Sequence, residues 1–128
     1  MALALLAIAD GAAAACRDDP ALVAPCYPVR GRLFAANGAP SLRIWPVGTR
    51  RLLGVHRDAE PGSIPDCLRP HVGFDKELYA DFVVCPFTRE RAGHMRFVCV
   101  ASAANMTVRD ATGEAPRRVS VEGTCASP

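Results

Sequence analysis

The sequence predicts a small all-β domain, and three observations carry that prediction. Three short extended runs between residues 29 and 56 are separated by dipeptides typical of tight hairpin turns. Two further runs, rich in β-branched and aromatic residues, lie between residues 78 and 101. Six cysteines in a chain of 128 residues indicate that disulfides supplement a modest core. Residues 16–128 are therefore expected to form one small disulfide-stabilised β domain.

Residues 1–15 are expected to be a signal peptide rather than part of this domain. Thirteen of the fifteen are hydrophobic, and the stretch ends in small residues suited to signal-peptidase cleavage. The usual positively charged n-region is missing, and Asp10 interrupts the apolar run. The stretch is shorter than the ~20 apolar residues of a transmembrane helix, and no other segment is long and apolar enough. An Ala-rich helix that belongs to the fold is the alternative interpretation.

The cysteines predict an oxidising compartment, so a periplasmic or secreted protein. No two of them have the CxxC spacing of a zinc ribbon or a thioredoxin-type site. The sequence AAAC at residues 13–16 also resembles a weak lipobox, which would make the chain a lipoprotein anchored at Cys16. Lipidation of Cys16 would leave an odd number of thiols, whereas six cysteines can form three bridges. The sequence thus favours plain secretion.

The net charge of the expected mature chain is mildly positive. Fifteen basic residues face twelve acidic ones once Asp10 is removed with the leader (13 minus 1), a net charge near +3. Long-range capture of nucleic acid needs a stronger excess than this. The composition therefore gives no strong nucleic-acid signal and leaves the partner unknown.

The first element is a β-meander with strands at residues 29–36, 41–47 and 50–56. Asn37-Gly38 favours a type I′ turn, and Gly48-Thr49 favours a type II′ turn with glycine first. Loops of two residues would fix the register of both hairpins.

That register separates the side chains of the meander by chemistry. One face collects apolar residues: Val29, Gly31, Leu33, Leu42, Ile44, Pro46, Leu53 and Val55. The opposite face places Arg32 directly across from Arg43, in a row with Gly54. The rows on either side of it hold Arg30, Trp45 and Leu52, and Phe34, Ser41 and His56. A slip of one residue would mix the two sets, so their separation supports the register.

The segment at residues 57–76 predicts a loop-rich connection that contains a short helix. Ser63 is expected to cap this helix, with Pro65 in its first turn and Pro70 limiting it to about two turns. Weak strands are also expected in the tail, at residues 106–110 and 117–123, around a turn at residues 111–116.

Two β-like runs follow the connection, at residues 78–85 and 95–101. If they pair as a hairpin centred near residue 92, Cys85 faces Cys99. A direct cross-strand disulfide between these two cysteines is then plausible, subject to its narrow distance limits.

Three meandering strands, a helical connection and two more strands follow the order of the OB-fold, a five-stranded barrel that binds ligands on strands two and three. Gly31 in mid-strand suits the bend that closes such a barrel. A small β-sandwich is the alternative architecture. Because fold does not fix function, this order indicates only where to look for a site.

Short motifs in these strands resemble a family of short, uncharacterised bacterial envelope proteins. The family has an NG turn, an RIW strand, a GT turn ending in LGV, and later DFxVCPF and VCV. The matching positions are Asn37-Gly38, Arg43-Ile44-Trp45, Gly48-Thr49, Leu53-Gly54-Val55, Asp81 to Phe87 and Val98 to Val100. The likeness covers about 75 of the 128 residues. Since no activity is known for that family, it implies only a secreted small β domain and the pairing of Cys85 with Cys99.

The arginine-bearing face of the meander is the candidate ligand-binding surface. Its residues are Arg30, Arg32, Arg43, Trp45, Phe34 and His56. On the functional interpretation, the indole is a stacking platform, the guanidinium groups bind an anionic ligand or a glycan, and Gly54 leaves floor space. An envelope protein that docks on exposed aromatic rings is a further possibility.

A structural interpretation of the same face is also open. Arginines directly opposed across an antiparallel pair cost about 0.2–1 kcal/mol, so an internal carboxylate is expected to offset them. Asp81 and Glu77 on the fourth strand are the nearest candidates, with arginine stems lying over Trp45 and Phe34.

Catalytic and metal-binding motifs are not found in the sequence. His56, His71 and His94 lie far apart, without HxH or i, i+4 spacing. There is no GxSxG, SxxK or Gly-rich phosphate loop. The sequence thus predicts neither an enzyme nor a metal or cofactor site. It predicts non-catalytic binding of an anionic ligand, glycan or protein, with a purely structural or protein-interaction domain as the alternative.

Overall fold

The computed structural model describes residues 15–110 and 117–127. Seven strands and two short 3₁₀ helices lie in this part of the chain. The strands are β1 (Tyr27–Ala35), β2 (Leu42–Pro46), β3 (Leu53–Val55), β4 (Lys76–Pro86), β5 (Arg96–Asp110), β6 (Arg117–Val121) and β7 (Cys125–Ala126). The helices span Cys16–Asp18 and Asp66–His71. The all-β prediction is confirmed, while the expected leader, apart from Ala15, and the expected turn at residues 111–116 lie outside the described residues.

Five of the strands close into a ring in the order β1-β2-β3-β5-β4. Neighbours in the ring are antiparallel except at the closure, where β3 runs parallel to β5 and pairs Leu53 with Arg96. The predicted barrel-like fold, with its helical connection between the third and fourth strands, is therefore confirmed. The tail adds β6 and β7 along the outer edge of β5, beyond the ring.

The first hairpin has a longer loop than the Asn-Gly signal predicts. Leu33 pairs with Ile44 rather than Leu42, and Arg32 pairs with Trp45 rather than Arg43. The loop holds four residues, closed by the Ala36 N–H donating to the Ser41 carbonyl at 2.8 Å.

Two features near this loop account for the longer turn. Pro40 has no N–H to donate to a ladder, which disfavours continuing the strand through it. The carboxylate of Asp58 accepts the N–H groups of Ser41 and Leu42, at 2.7 and 2.9 Å, so β2 begins only there. Since the shift is two residues, every side chain keeps its predicted face.

The second hairpin has the predicted register, with Arg43 opposite Gly54 and Ile44 opposite Leu53, although its loop spans residues 47–52 instead of the two residues predicted. The apolar face of the meander lies inside the barrel, where Leu33, Ile44 and Val55 are fully buried. Inward-facing side chains of β4 and β5 complete this core: Leu78, Ala80, Phe82, Val84, Val98, Val100, Ala103, Met106 and Val108.

Gly31 allows β1 and β2 to approach closely. A Cβ atom at this position would lie 2.7 Å from Ile44 Cγ2 and 3.1 Å from the carbonyl oxygen of Trp45. Any larger residue would push the two strands apart, so close approach of the strands requires glycine here. The bend expected at Gly31 stays a prediction.

The connecting helix forms, but Ser63 does not cap it. The 3₁₀ helix begins at Asp66 after Pro65 and contains Pro70, with no side-chain hydrogen bond at its first turn. The Ser63 hydroxyl instead lies 3.0 and 2.9 Å from the carbonyl oxygens of Asp58 and Glu60. The N-cap position is Pro65, and the Ser63 oxygen accepts from Arg69 Nη2 at 3.1 Å rather than from an N–H of the first turn.

The predicted disulfide between Cys85 and Cys99 is wrong, although the two residues do face each other on β4 and β5. The bridges are Cys16–Cys99, Cys26–Cys85 and Cys67–Cys125. The Phe87 N–H donates to the Phe97 carbonyl at 2.8 Å. Since pair types alternate along an antiparallel ladder, the cysteine pair two residues away is also of the hydrogen-bonded type. Its side chains stand farther apart than in the other type.

The N-terminal segment supplies the cysteines that replace the predicted bridge. It runs from the short 3₁₀ helix to β1 and packs on β4 and β5, where Cys16, Cys85, Cys99 and Ala101 form a second buried cluster. The sulfur that a lipid would occupy on Cys16 is bonded to Cys99. This pairing is incompatible with the alternative of a lipoprotein anchored at Cys16.

Candidate functional site

Arg30, Arg32 and Arg43 all have partners within the chain. Arg30 Nη1 lies 3.4 Å from Asp81 Oδ1 and donates to the Asn105 carbonyl at 2.9 Å. The carboxylate expected from the fourth strand is therefore present beside Arg30.

Arg32 is held by two rings and a carboxylate. Its guanidinium carbon lies 4.9 Å from the Phe34 ring centroid and 5.4 Å from that of Trp45. Its Nη1 lies 3.6 Å from Glu77 Oε1. Tyr79 faces Arg32 from β4 and carries Arg118 over its own ring at 5.7 Å. Arginines and aromatic rings thus alternate across the outside of the sheet, which supports the structural interpretation of this face.

Arg43 holds the first hairpin loop. Its Nε donates to the Pro40 carbonyl at 3.1 Å and its Nη2 to the Asn37 carbonyl at 3.3 Å. The two-residue shift in register explains why Arg43 does not oppose Arg32. It lies across from Phe34 instead, so the expected repulsion between the two arginines does not arise.

Trp45, Gly54 and His56 do not form the predicted open floor. The Trp45 indole N–H donates to the Thr49 carbonyl at 2.7 Å, and Trp45 is half-buried. The space above Gly54 is filled, because a Cβ there would lie 2.6 Å from Met95 Sδ and 2.8 Å from Pro40 Cγ. His56 packs on the Phe87 ring, with centroids 4.6 Å apart. The structure thus brings together only part of the predicted set: Arg32 contacts the rings of Phe34 and Trp45, whereas His56 contacts Phe87.

A cavity of about 700 Å³ lies at one end of the barrel. Its walls come from the β2–β3 loop (residues 47–52) and the β4–β5 loop (residues 87–95). We call this cavity the basic cleft, because four arginines line it against a single carboxylate: Arg50, Arg51, Arg91 and Arg96, with Glu90.

The arginines of the basic cleft differ in how they are held. Arg51 forms an ion pair with Glu90 that joins the two loops. Arg96 Nε donates to the Thr88 carbonyl at 3.0 Å, and its guanidinium lies 5.2 Å from the Tyr27 ring centroid. Arg50 and Arg91 are exposed and form no ion pair with any residue that the structure describes.

The cleft was not predicted from the sequence, because its charges lie in two loops far apart in the chain. Only the pairing of β3 with β5 brings residues 50–51 beside residues 90–96. The available signal was weak: the runs GTRR and RERAGHMR place arginines at the ends of two adjacent hairpins. Loop arginines of this kind are usually read as solvated surface.

The cysteine cluster beneath the N-terminal segment offers no metal-binding thiolate. The Sγ atoms of Cys16, Cys85 and Cys99 lie within 4.8 Å of one another. Each of the three is bonded in a disulfide, and every cysteine of the described residues is bridged. Three disulfides fit the oxidising compartment that the cysteine count predicts.

The fold and this site define a disulfide-stabilised small β-barrel with a basic cleft at one end. No family model, curated protein or solved structure matches the chain. The resemblance to bacterial envelope proteins therefore stays a prediction. Across residues 15–110 and 117–127, the structure has no helix of the length and apolar character needed to cross a bilayer.

Proposed function

We propose that this chain is an exported, non-catalytic binding domain that holds an anionic ligand in the basic cleft. The observation that carries the proposal is the excess of four arginines over one carboxylate around a cavity of about 700 Å³. That volume is within the range of small-molecule sites. The three disulfides support a periplasmic or secreted location.

Arg50 and Arg91 are the groups best placed to bind an anion. A guanidinium binds phosphate, sulfate or carboxylate through two parallel hydrogen bonds. Neither of these two has to leave a carboxylate partner in order to do so. Arg30 and Arg32 would each have to give up an existing ion pair, so the cleft is favoured over the sheet face.

The second candidate is a structural or protein-interaction domain without a small ligand. The observation that favours it is the internal pairing of Arg30 with Asp81 and of Arg32 with Glu77. Under this alternative, the arginines of the cleft remain solvated and no anion stabilises the fold.

Thermal melts in tripolyphosphate separate the two candidates, with sodium chloride of equal ionic strength as the salt control. We expect stabilisation of about 1.4 kcal/mol at a concentration tenfold above Kd, or a melting temperature raised by about 5 °C. Arg50→Ala combined with Arg91→Ala should abolish the increase. Arg89→Ala is the matched control, because Arg89 is exposed on the same loop but does not line the cleft.

Equal stabilisation of the wild type and the double variant would contradict the proposal, as would the absence of any increase in the wild type. The second result would favour the structural alternative.

A further inference from the structure

We infer that the ligand of the basic cleft is an amphiphilic anion, in which one anionic head group is joined to an apolar alkyl or aryl body. This inference rests on the proposed function and narrows it to a class of ligand. A hydrophilic anion would use only the charged walls of the cleft, whereas the cleft also has an apolar floor.

The floor is formed by apolar residues at the strand ends and by one loop residue next to them. Tyr27 and Val29 come from the start of β1, Pro46 ends β2, and Leu52 precedes β3. All four are half-buried, so part of their apolar surface still faces the cavity. Burying apolar surface releases about 25 cal/mol per Å². A ligand with a hydrocarbon body gains from this floor, and a fully hydrated anion does not.

Charge and apolar surface are arranged in two levels within the cleft. The strand ends and the adjacent Leu52 supply the floor, and the remaining loop residues supply Arg50, Arg51 and Arg91. Arg96 brings positive charge next to the apolar floor, because its guanidinium lies over the ring of the floor residue Tyr27. A ligand whose hydrocarbon body lies on the floor would therefore place its head group among guanidiniums.

Glu90 is the one carboxylate at the cleft, and it competes with an incoming head group for Arg51. Both side chains are more than half exposed, so the ion pair is weak and readily exchanged. Glu90→Gln should therefore strengthen binding of every anion several-fold without changing the preference for an apolar body.

The test is calorimetric titration with butyl phosphate, octyl phosphate, tripolyphosphate and the neutral octyl glucoside. The two octyl compounds are used below their micellar concentrations. We expect octyl phosphate to bind at least about tenfold more tightly than butyl phosphate, because each buried methylene adds to affinity. Octyl glucoside should bind at least about tenfold more weakly than octyl phosphate, because it has no charge to pair with the arginines.

Two variants test whether the apolar floor of the cleft binds the hydrocarbon body. Leu52→Ser should lower the affinity for octyl phosphate about threefold or more and leave tripolyphosphate binding unchanged. Val47→Ser is the matched control, since Val47 is 49% exposed on the same loop and does not line the cleft. Melting temperatures of both variants report whether the fold is intact.

The outcomes distinguish this inference from the proposed function. If tripolyphosphate binds through Arg50 and Arg91 but chain length has no effect, the amphiphile is excluded and anion binding stands. Equal binding of octyl glucoside and octyl phosphate would also overturn the inference, as would equal losses in the Leu52 and Val47 variants. If no anion binds, both the inference and the proposed function fail.

Discussion

Arg32 contacts two aromatic rings and one carboxylate, and its Nε is buried without a hydrogen-bond partner among the described residues. Each ring contact contributes about 0.5–1 kcal/mol when partly exposed, and the ion pair contributes at most about 1 kcal/mol. The unpaired Nε opposes these gains. On balance the side chain stabilises the sheet, and its own contacts account for its position beside Trp45.

Arg32→Ala should therefore destabilise the unliganded protein, by about 1 kcal/mol. Chemical denaturation in the absence of any anion measures this directly. Glu77→Gln should cost less, because the ring contacts of Arg32 remain. A variant more stable than the wild type would mean that Arg32 is held in an unfavourable position, as expected of a residue kept for a ligand.

Sequence reasoning predicted some contacts of single residues and not others. It named Asp81 and Glu77 on the fourth strand as the nearest carboxylates, and these two pair with Arg30 and Arg32 because β4 lies beside β1. Open space was expected above Gly54, but Met95 and Pro40 fill it. Met95 and Pro40 come from distant loops whose course no local pattern specifies.

In the first hairpin the predicted loop length was wrong, but the side of the sheet predicted for each side chain was right. A two-residue error in register preserves the alternation of side chains, so the apolar set was predicted in full. The error changed which residues are opposite each other, and with it the predicted opposition of Arg32 and Arg43. Asp58, which positions the start of β2, lies outside the hairpin and gave no local signal.

Asp58→Ala should destabilise the fold by about 1–3 kcal/mol, because it leaves the N–H groups of Ser41 and Leu42 without their acceptor. Asp58→Asn keeps one acceptor oxygen and should cost less. Hydrogen exchange at these two amides, together with denaturant melts, provides the measurement. Unchanged protection of both amides in Asp58→Ala would contradict the role given to this carboxylate.

The disulfides join strands to segments outside the barrel sheet, and their pairing can be tested directly. We expect peptide mapping without reduction to find Cys16–Cys99, Cys26–Cys85 and Cys67–Cys125. Replacing Cys16 and Cys99 together by serine should cost about 2–5 kcal/mol, because that bridge closes a long loop of the unfolded chain. Recovery of a peptide that joins Cys85 to Cys99 from the native protein would contradict the pairing.

The whole barrel was predictable in outline because its strand order follows from turn signals and apolar alternation. The basic cleft was not predicted, because it depends on the register in which β3 meets β5 and on which loop residues that register brings together. That contact joins distant parts of the chain, and sequence periodicity contains no information about it. Sites built from loops at one end of a barrel share this property.

The net charge of the whole molecule affects how tightly the basic cleft is expected to bind an anion. The chain has a formal net charge of only +2, so long-range attraction is modest and binding depends on the local cluster. Exposed guanidiniums are screened beyond about 10 Å at 0.1 M salt. Anion affinity should therefore fall as ionic strength rises, whereas the gain from a longer hydrocarbon body should persist.

The most direct test of the basic cleft is a titration of the ¹⁵N-labelled protein with octyl phosphate, followed by amide chemical shifts. We expect saturable shifts in residues 50–53 and 90–96, with residues 30–34 on the sheet face unchanged. Shifts confined to residues 30–34 and Trp45, or no saturable shift in either region, would contradict the assignment of the ligand site to the cleft.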